Sequence, residues 1–304
     1  MHITAIVVTY NRKDLLLGCL ANIAAQTRKP DTILIVENAS TDGTIDELRR
    51  NGWLLRQDVE LLKLEENTGG AGGFASGMDH AYQKGTDWVW IMDDDAAPHP
   101  EALEKLVAAA NDTSSLYGSV AINNQRLCWP MLPLHGDKPD EIFSVAELKR
   151  PIEVSFIPFL GLMISKEIIA RIGIPDAGFF LYVDDVEYCW RARKNGAKII
   201  LVGDSHIEHP LSERNELRIG SFHTHTPKLA PWKRYYDVRN RLFVARDYYG
   251  LGLYYSTIPG SIVRYIATLL NQSDRWDQTR AVFYGMLDGL MCKKGRRHEH
   301  WNLH

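Results

Sequence analysis

The amino-acid sequence predicts an α/β protein, a twisted and mostly parallel sheet flanked by helices. Three observations carry that reading. Residues 3–9 and 32–36 are β-branched, apolar runs without polar alternation, as expected of strands buried on both faces. Segments with helical apolar periodicity follow them, and each strand is closed by polar, turn-forming residues before the next helix begins. Strand and helix in alternation imply parallel pairing through right-handed crossovers. Ligands of such sheets bind at the carboxyl ends of the strands.

The elements follow in order. Tyr10-Asn11-Arg12 ends the first strand, and Asp14 is placed to cap a helix in which Leu15, Leu16, Cys19, Leu20 and Ile23 recur with helical spacing. Thr32 to Val36 is the second strand, closed by Glu37-Asn38-Ala39-Ser40-Thr41-Asp42-Gly43-Thr44, with a helix at about 44–51. A third strand at 59–64 leads into Asn67-Thr68-Gly69-Gly70-Ala71-Gly72-Gly73 and another helix. The run Trp88-Val89-Trp90-Ile91-Met92 is the fourth strand, its tryptophans reading as core. A helix is expected at about 100–110, then a less regular stretch to about 155 in which Trp129-Pro130-Met131-Leu132-Pro133 reads as a surface loop. Residues 154–164 read as a strand, 179–188 carry a second acidic cluster into a helix, and 197–202 read as a short strand. His223 and His225 are expected in a mobile loop. From Trp232 onward the pattern is helical, with one apolar stripe at Ile258, Ile262, Val263, Ile266, Leu269 and Leu270. Val282, Phe283, Met286, Leu287, Leu290 and Met291 form another.

Composition narrows the class. A chain of 304 residues, 45% hydrophobic and 24% charged, buries a full core without staples. Cys19, Cys128, Cys189 and Cys292 form no C-x-x-C pair, so neither a disulfide framework nor a zinc knuckle is expected, and a reducing cytoplasm suits them. The first residues lack a basic segment and cleavage site, and no uncharged apolar run is long enough to span a bilayer. The net charge of -3 hides an asymmetry: residues 232–304 hold 12 Lys+Arg and 6 Asp+Glu, net +6, and the remainder is -9. Such a basic tail docks on anionic lipid or a phosphorylated acceptor, or is a solvated helical face.

Asp93-Asp94-Asp95 directly follows the tryptophan-rich strand. Clustered carboxylates at the end of a buried strand need compensation, which a hard divalent cation bridging to a diphosphate supplies; an acidic turn is the plainer reading. The glycine-rich segment is neither a Walker loop nor a Rossmann fingerprint, but its glycines can bring backbone N–H groups close to phosphate or sugar oxygens. Asp184-Asp185 and Glu187 form the second acidic site, Asp184 being also a natural helix cap. His206-Ile207-Glu208-His209 offers imidazoles to a metal. Trp129 and Trp232, flanked by prolines, suit stacking on a sugar. Arg239 and Arg241 suit either phosphate or a structural ion pair.

Val8-Thr9-Tyr10-Asn11-Arg12, Glu37 to Thr44, Asn67 to Phe74, Asp93-Asp94-Asp95, Phe179 to Glu187 and Tyr235-Tyr236-Asp237-Val238-Arg239-Asn240-Arg241 stand together in one order. In these the chain resembles the inverting family 2 glycosyltransferases of GT-A fold, above all bacterial galactofuranosyl- and rhamnosyltransferases. One departure is Glu37, where that family usually has Asp. The resemblance implies a catalytic domain at residues 1–231, with a nucleotide-sugar half at 1–99 and an acceptor half at 100–231, and a helical region at 232–304. It implies that Thr9, Asn11 and Glu37, with Tyr10, Arg12 and Asn38 beside them, hold nucleobase and ribose. Asn67, Gly69 and Gly70 would line the diphosphate and sugar. Asp93 and Asp95 would ligate Mn²⁺ or Mg²⁺, directly or through water, with Asp94 nearer the ribose; if the chain is extended there, Asp93 and Asp95 point the same way. His209 fits the family place for a further metal ligand better than His206. Asp185 would be the general base and Asp184 would place the acceptor, with Glu187, Trp129 and Trp232 near it.

The implied donor is UDP-galactofuranose, with dTDP-rhamnose second. The implied acceptor is a glycan or a polyprenyl-diphosphate-linked glycan, met in the cytoplasm or at the inner face of the plasma membrane through anionic lipid. No nucleic-acid partner is expected. A sugar nucleotidyltransferase would instead begin with Gly-x-Gly-Thr-Arg and a following lysine. A non-catalytic sugar-nucleotide-binding module would not need both acidic sites.

Overall fold

The computed structural model describes residues 1–131, 133–134, 142–148, 150–219 and 222–304. The chain forms two compact units, Met1–Asp176 with Tyr188–Pro210, and Ala177–Glu187 with Leu211–His304.

In the first unit β1 (Ile3–Thr9), buried throughout, pairs in parallel with β2 (Thr32–Glu37). β3 (Val59–Lys63) extends the sheet beside β2, and β4 (Trp88–Asp93) pairs on the other side of β1, all in parallel. The helices between them are α1 (Lys13–Ala24), α2 (Thr44–Arg50) and α3 (Gly69–Gln83). Alternate residues fill opposite faces: Ile6, Val8, Leu34 and Val36 pack with Phe74 and Met78, while Ala5, Val7, Ile33 and Ile35 pack with Leu16, Leu20 and Ile23. Asp14 lies in the first turn of α1 but does not cap it, because the helix starts one residue earlier and Arg12 holds the cap position. Trp88 and Trp90 are buried in the core.

The sheet continues through β5 (Ala97–Pro98), α4 (Ala102–Ala109), β6 (Leu116–Asn123), β7 (Arg126–Met131), β8 (Ile142–Ser144), β9 (Ile152–Glu153), β10 (Leu162–Ser165), α5 (Lys166–Ile172), α6 (Asp184–Lys194) and β11 (Ile199–Glu208). Its order is β3-β2-β1-β4-β10-β6-β11-β5, with β7 and β8 beyond β6 and β9 against β11. β10 runs antiparallel to β4 and β6, whereas β11 is parallel to β6. The stretch expected to be irregular therefore holds four strands, β6 to β9. Trp129 and Met131 belong to β7 instead of a surface loop, and Met131 is buried; Leu132 lies outside the described residues. Of the strand expected at 154–164, only the end enters the main ladder, since Pro158 cannot donate and Gly161 has φ +75°. β11 runs to Glu208, well past the expected end.

In the second unit α7 (Pro231–Val244), α8 (Ile258–Asn271) and α9 (Arg275–Leu290) accompany an antiparallel pair, β12 (Arg214–Ile219) and β13 (Phe222–Pro227). His223 and His225 thus lie in a strand. α9 meets α7 through glycines: a Cβ on Gly285 would stand 2.8 Å from the Tyr235 carbonyl, and one on Gly289 would stand 2.6 Å from Leu242. Two π-helical turns, Ala245–Tyr249 and Leu253–Thr257, join α7 to α8. No helix among the described residues is long and apolar enough to cross a membrane.

Candidate active site

At the carboxyl edge of the parallel strands the loops are tied to one another before any ligand is considered. Asn11, at φ +53°, receives the Thr41 N–H on Oδ1 at 2.7 Å and donates its own N–H to Ser40 Oγ at 3.0 Å. Glu37 is buried; Oε1 accepts the Ser40 N–H, and Oε2 has no hydrogen-bond partner among the described residues. An orphaned, buried carboxylate oxygen is costly unless a ligand donor reaches it. Asn38 latches the glycine segment, donating to the Gly69 carbonyl at 2.9 Å and accepting the Thr68 N–H at 2.9 Å. Asn67 Oδ1 accepts the Gly69 N–H at 2.9 Å. The glycines have a packing role as well. A Cβ on Gly73 would lie 2.4 Å from Val8, and one on Gly77 2.7 Å from Ile6, so α3 approaches the sheet more closely than alanine allows. Tyr10 projects into solvent.

The strand ends at Asp93, and Asp94-Asp95 lie in a turn closed by the Ala96 N–H on the Asp93 carbonyl. The chain is therefore not extended across Asp93 to Asp95, and the turn replaces period-two alternation there. Asp94 is buried and accepts the Thr9 hydroxyl at 2.8 Å and Arg12 Nη1 at 3.3 Å. Burial raises its pKa to about 6 against the opposing pull of those two donors. The same guanidinium bonds Asp95 Oδ2 at 2.9 Å. The other Asp95 oxygen, buried and without a hydrogen-bond partner among the described residues, lies 3.5 Å from His209 Nε2. The Trp129 ring meets the His209 ring edge-on at 6.0 Å.

The structure thus brings Thr9, Arg12, Asp94 and Asp95 into one cluster, with His209 and Trp129 reached through Asp95. His206 turns away, its Nε2 at 2.9 Å from the Gly203 carbonyl. Asp95 and His209, one hard oxygen and one imidazole nitrogen 3.5 Å apart, suit a divalent cation completed by water and phosphate oxygens. No third His, Cys, Asp or Glu completes a set with them among the described residues, Asp93 included.

The second acidic cluster is built within the second unit. Phe180, Tyr182 and Val183 have φ of +63°, +66° and +67°, conformations that are strained for bulky residues and persist only where the surroundings fix them. Asn240 fixes them, donating from Nδ2 to the carbonyls of Phe179, Leu181 and Tyr182 at 3.0, 2.8 and 2.8 Å. Arg239, fully buried, donates to the carbonyls of Gly178, Phe179 and Gly295 and stacks on Tyr235, Tyr236 and Phe243. Arg239 is therefore a loop clamp, with no ion pair among the described residues, and Asn240, which the sequence shows only as part of the Tyr235 to Arg241 motif with no role of its own, holds the strained loop. Its signal was an amide inside an aromatic, otherwise core-forming helix.

The clamped loop delivers Asp184 and Asp185 to the first turn of α6. Burial, then the Asp185 charge, raises the Asp184 pKa. Burial also raises that of Asp185, opposed by the Val186 N–H, 2.7 Å from Oδ1, and by Arg241. A carboxylate so placed is a stronger base than an exposed aspartate. Glu187 accepts the Tyr248 hydroxyl at 2.7 Å. Trp232 stacks on His298 at 5.2 Å and packs with the cluster around Tyr236.

Comparison with known sequences identifies the class. Residues 4–173 match Glycosyl transferase family 2, and the chain belongs to that family. It is 32% identical over 257 residues to galactofuranosyltransferase GlfT1 of Mycobacterium tuberculosis, covering 79% of this chain and 81% of that protein. With dTDP-rhamnosyl transferase RfbF of Shigella flexneri it shares 23% identity over 292 residues and 95% of each chain. Among solved structures, GalNAc-T7 with UDP, GalNAc and Mn²⁺ superposes with TM-score 0.62 at 13% identity, over 100% of this chain and 58% of that one. S. aureus TarS 1-349 with UDP gives 0.51 at 14% identity, over 99% and 72%. These neighbours show the GT-A fold.

Proposed function

We propose that this glycosyltransferase moves galactofuranose from UDP-galactofuranose, with inversion, to a glycan or polyprenyl-diphosphate-linked glycan of a bacterial surface polysaccharide. The observation that carries the reading is the approach of Asp95 to His209, at the same strand edge as the unpartnered Glu37 Oε2, where sheets of this type take nucleotides. Glu37, Asn11 and Thr9 receive the nucleoside, and the backbone around Gly69 and Gly70 faces the diphosphate. Asp95 and His209 would hold Mn²⁺ or Mg²⁺, with Asp93 reaching it through water, and the bound ion would supply positive charge against that developing on the departing diphosphate. Asp185 takes the proton of the acceptor hydroxyl as it attacks the anomeric carbon, and Asp184 orients that hydroxyl. The Mn²⁺ and UDP in the GalNAc-T7 structure support the donor chemistry, and the relative named galactofuranosyltransferase supports the sugar. The full-length likeness to a dTDP-rhamnosyl transferase keeps rhamnose as the second reading.

The apolar stripes of α8 and α9 support a peripheral membrane site. Ile262, Ile266 and Leu270 on one helix and Trp276, Phe283 and Leu290 on the other are exposed. Exposed apolar faces with Lys293 nearby suit the headgroup region of an anionic leaflet, where a lipid-linked acceptor resides.

Incubation with UDP-galactofuranose or dTDP-rhamnose and Mn²⁺, without acceptor, tests the donor. Slow release of UDP that stops with chelator and in Asp95→Ala is expected. Release from dTDP-rhamnose alone moves the assignment to rhamnose, and sugar-nucleotide synthesis from pyrophosphate would overturn transfer altogether.

A further inference from the structure

A polar cavity of about 180 Å³ lies within the second unit. Its polar lining is Arg241, Arg264, Tyr249, Ser256 and Thr257, and its apolar lining includes Val183 and Val186, which flank Asp184-Asp185 in sequence. Tyr249 ends one π-helical turn, and Ser256-Thr257 end the other. Such turns are rare and recur at functional sites, because they rotate side chains out of ordinary helical register.

One of the guanidiniums at the cavity lacks a carboxylate partner among the described residues. Arg241 donates from Nε to Asp237 Oδ1 at 2.8 Å, and Arg234 Nη1 stands 3.9 Å from Asp237 Oδ2. Arg264 makes no ion pair among the described residues: Nη2 donates to Ser261 Oγ at 2.9 Å on its own helix, and buried Nε has no partner. Arg234, Arg241 and Arg264 thus gather near buried Asp237, with Asp185 facing Arg241 and Asp274 facing Arg234 as further carboxylates, and among the described residues Arg264 alone of the three has no ion pair. Burial, followed by the Arg241 charge, depresses the Arg264 pKa to about 10. Arg264 is half-buried, and a partly desolvated guanidinium without a carboxylate partner is unfavourable, which an anion relieves.

We propose that this cavity is an anion subsite in which Arg241 and Arg264, assisted by the Ser256 and Thr257 hydroxyls, bind a phosphate group of the acceptor. Guanidinium pairs and hydroxyl donors match the oxygens of a phosphate or diphosphate. That the phosphate is the acceptor's rests on Asp185 being the base, since Val183 and Val186 bracket that residue; that the cavity binds phosphate does not.

Isothermal titration of the full chain with inorganic pyrophosphate, in chelator, tests the site apart from transfer. Saturable binding that weakens at least about tenfold in Arg264→Gln and partly recovers in Arg264→Lys is expected. UDP affinity with Mn²⁺ should not change in either variant. No binding to the wild type, or equal binding in Arg264→Gln, overturns the subsite; an equal loss of UDP affinity assigns the phosphate to the donor and overturns the acceptor assignment. Thermal melting guards against a folding effect. Arg264→Met should melt no lower than the wild type, and pyrophosphate should raise the melting temperature of the wild type alone. A lower melting temperature with an undiminished pyrophosphate shift would make Arg264 structural and overturn the proposal. Pyrophosphate binding through Arg264 in a protein that transfers no sugar would separate the subsite from the transfer reading.

Discussion

At the scale of single residues, the roles divide between groups legible as chemistry and groups whose work depends on geometry. The aspartate triplet was visible because nothing in an apolar strand explains three carboxylates, yet its orientation was not. A turn begins at Asp94, and Arg12 bridges Asp94 and Asp95. Of the two histidines, His209 lies 3.5 Å from Asp95, whereas His206 turns to the Gly203 carbonyl. For Asp185, the Asn variant keeps the volume and cannot take a proton. UDP affinity by calorimetry should be retained in Asp185→Asn while single-turnover transfer falls about 10²- to 10⁴-fold. Lost UDP affinity with normal transfer at saturating donor would make Asp185 a binding residue. Its pKa is raised by burial, so the proton-accepting form is lost as pH falls through a value above the ordinary aspartate range near 3.9. The kcat profile should therefore bend downward on its acid side at a pH above about 4.5, and a profile flat to that pH would contradict the assignment.

At the scale of elements, the parallel half was readable because its strands are buried on both faces and so are continuously apolar. β6 was not, although it is buried almost throughout: Gly118, Ser119, Ala121 and Asn123 are poor strand formers, held by neighbours on both sides. The glycine segment reads as a phosphate loop from sequence, and part of it instead serves helix–sheet contact, a distinction invisible because both uses require only the absence of Cβ. Gly73→Ala should cost about 1–3 kcal/mol by overpacking against Val8, measured by denaturant unfolding; an unchanged midpoint would show that α3 can shift. The clamp on the 179–183 loop gives a second expectation. Asn240→Ala removes the donor shared by three carbonyls, so stability should fall by about 1–3 kcal/mol. Because the loop delivers Asp185, transfer should fall more than UDP affinity does. Equal losses would mean that the clamp is only structural.

At the scale of the whole molecule, the basic tail was legible as charge but not as surface. Arg234 and Arg239 are buried, Arg297 pairs with Asp288, and Arg296 pairs with Glu299, which leaves less free cation than the composition implies. What the structure adds is the exposure of the apolar stripes, which sequence periodicity could equally have placed inside. Flotation with anionic vesicles should recover the protein at low salt and less of it as salt rises, given screening over about 8 Å at physiological ionic strength. Trp276→Ser with Phe283→Ser should reduce flotation while leaving the unfolding midpoint unchanged, since both side chains are exposed; undiminished flotation would rule out these faces as the lipid contact. The transfer itself is tested most directly by the anomeric configuration of the first product, read by NMR from a single-turnover reaction with UDP-galactofuranose, Mn²⁺ and an acceptor glycan. Attack by an acceptor hydroxyl activated at Asp185 predicts a galactofuranosyl linkage inverted relative to the donor, and a product of retained configuration would contradict it.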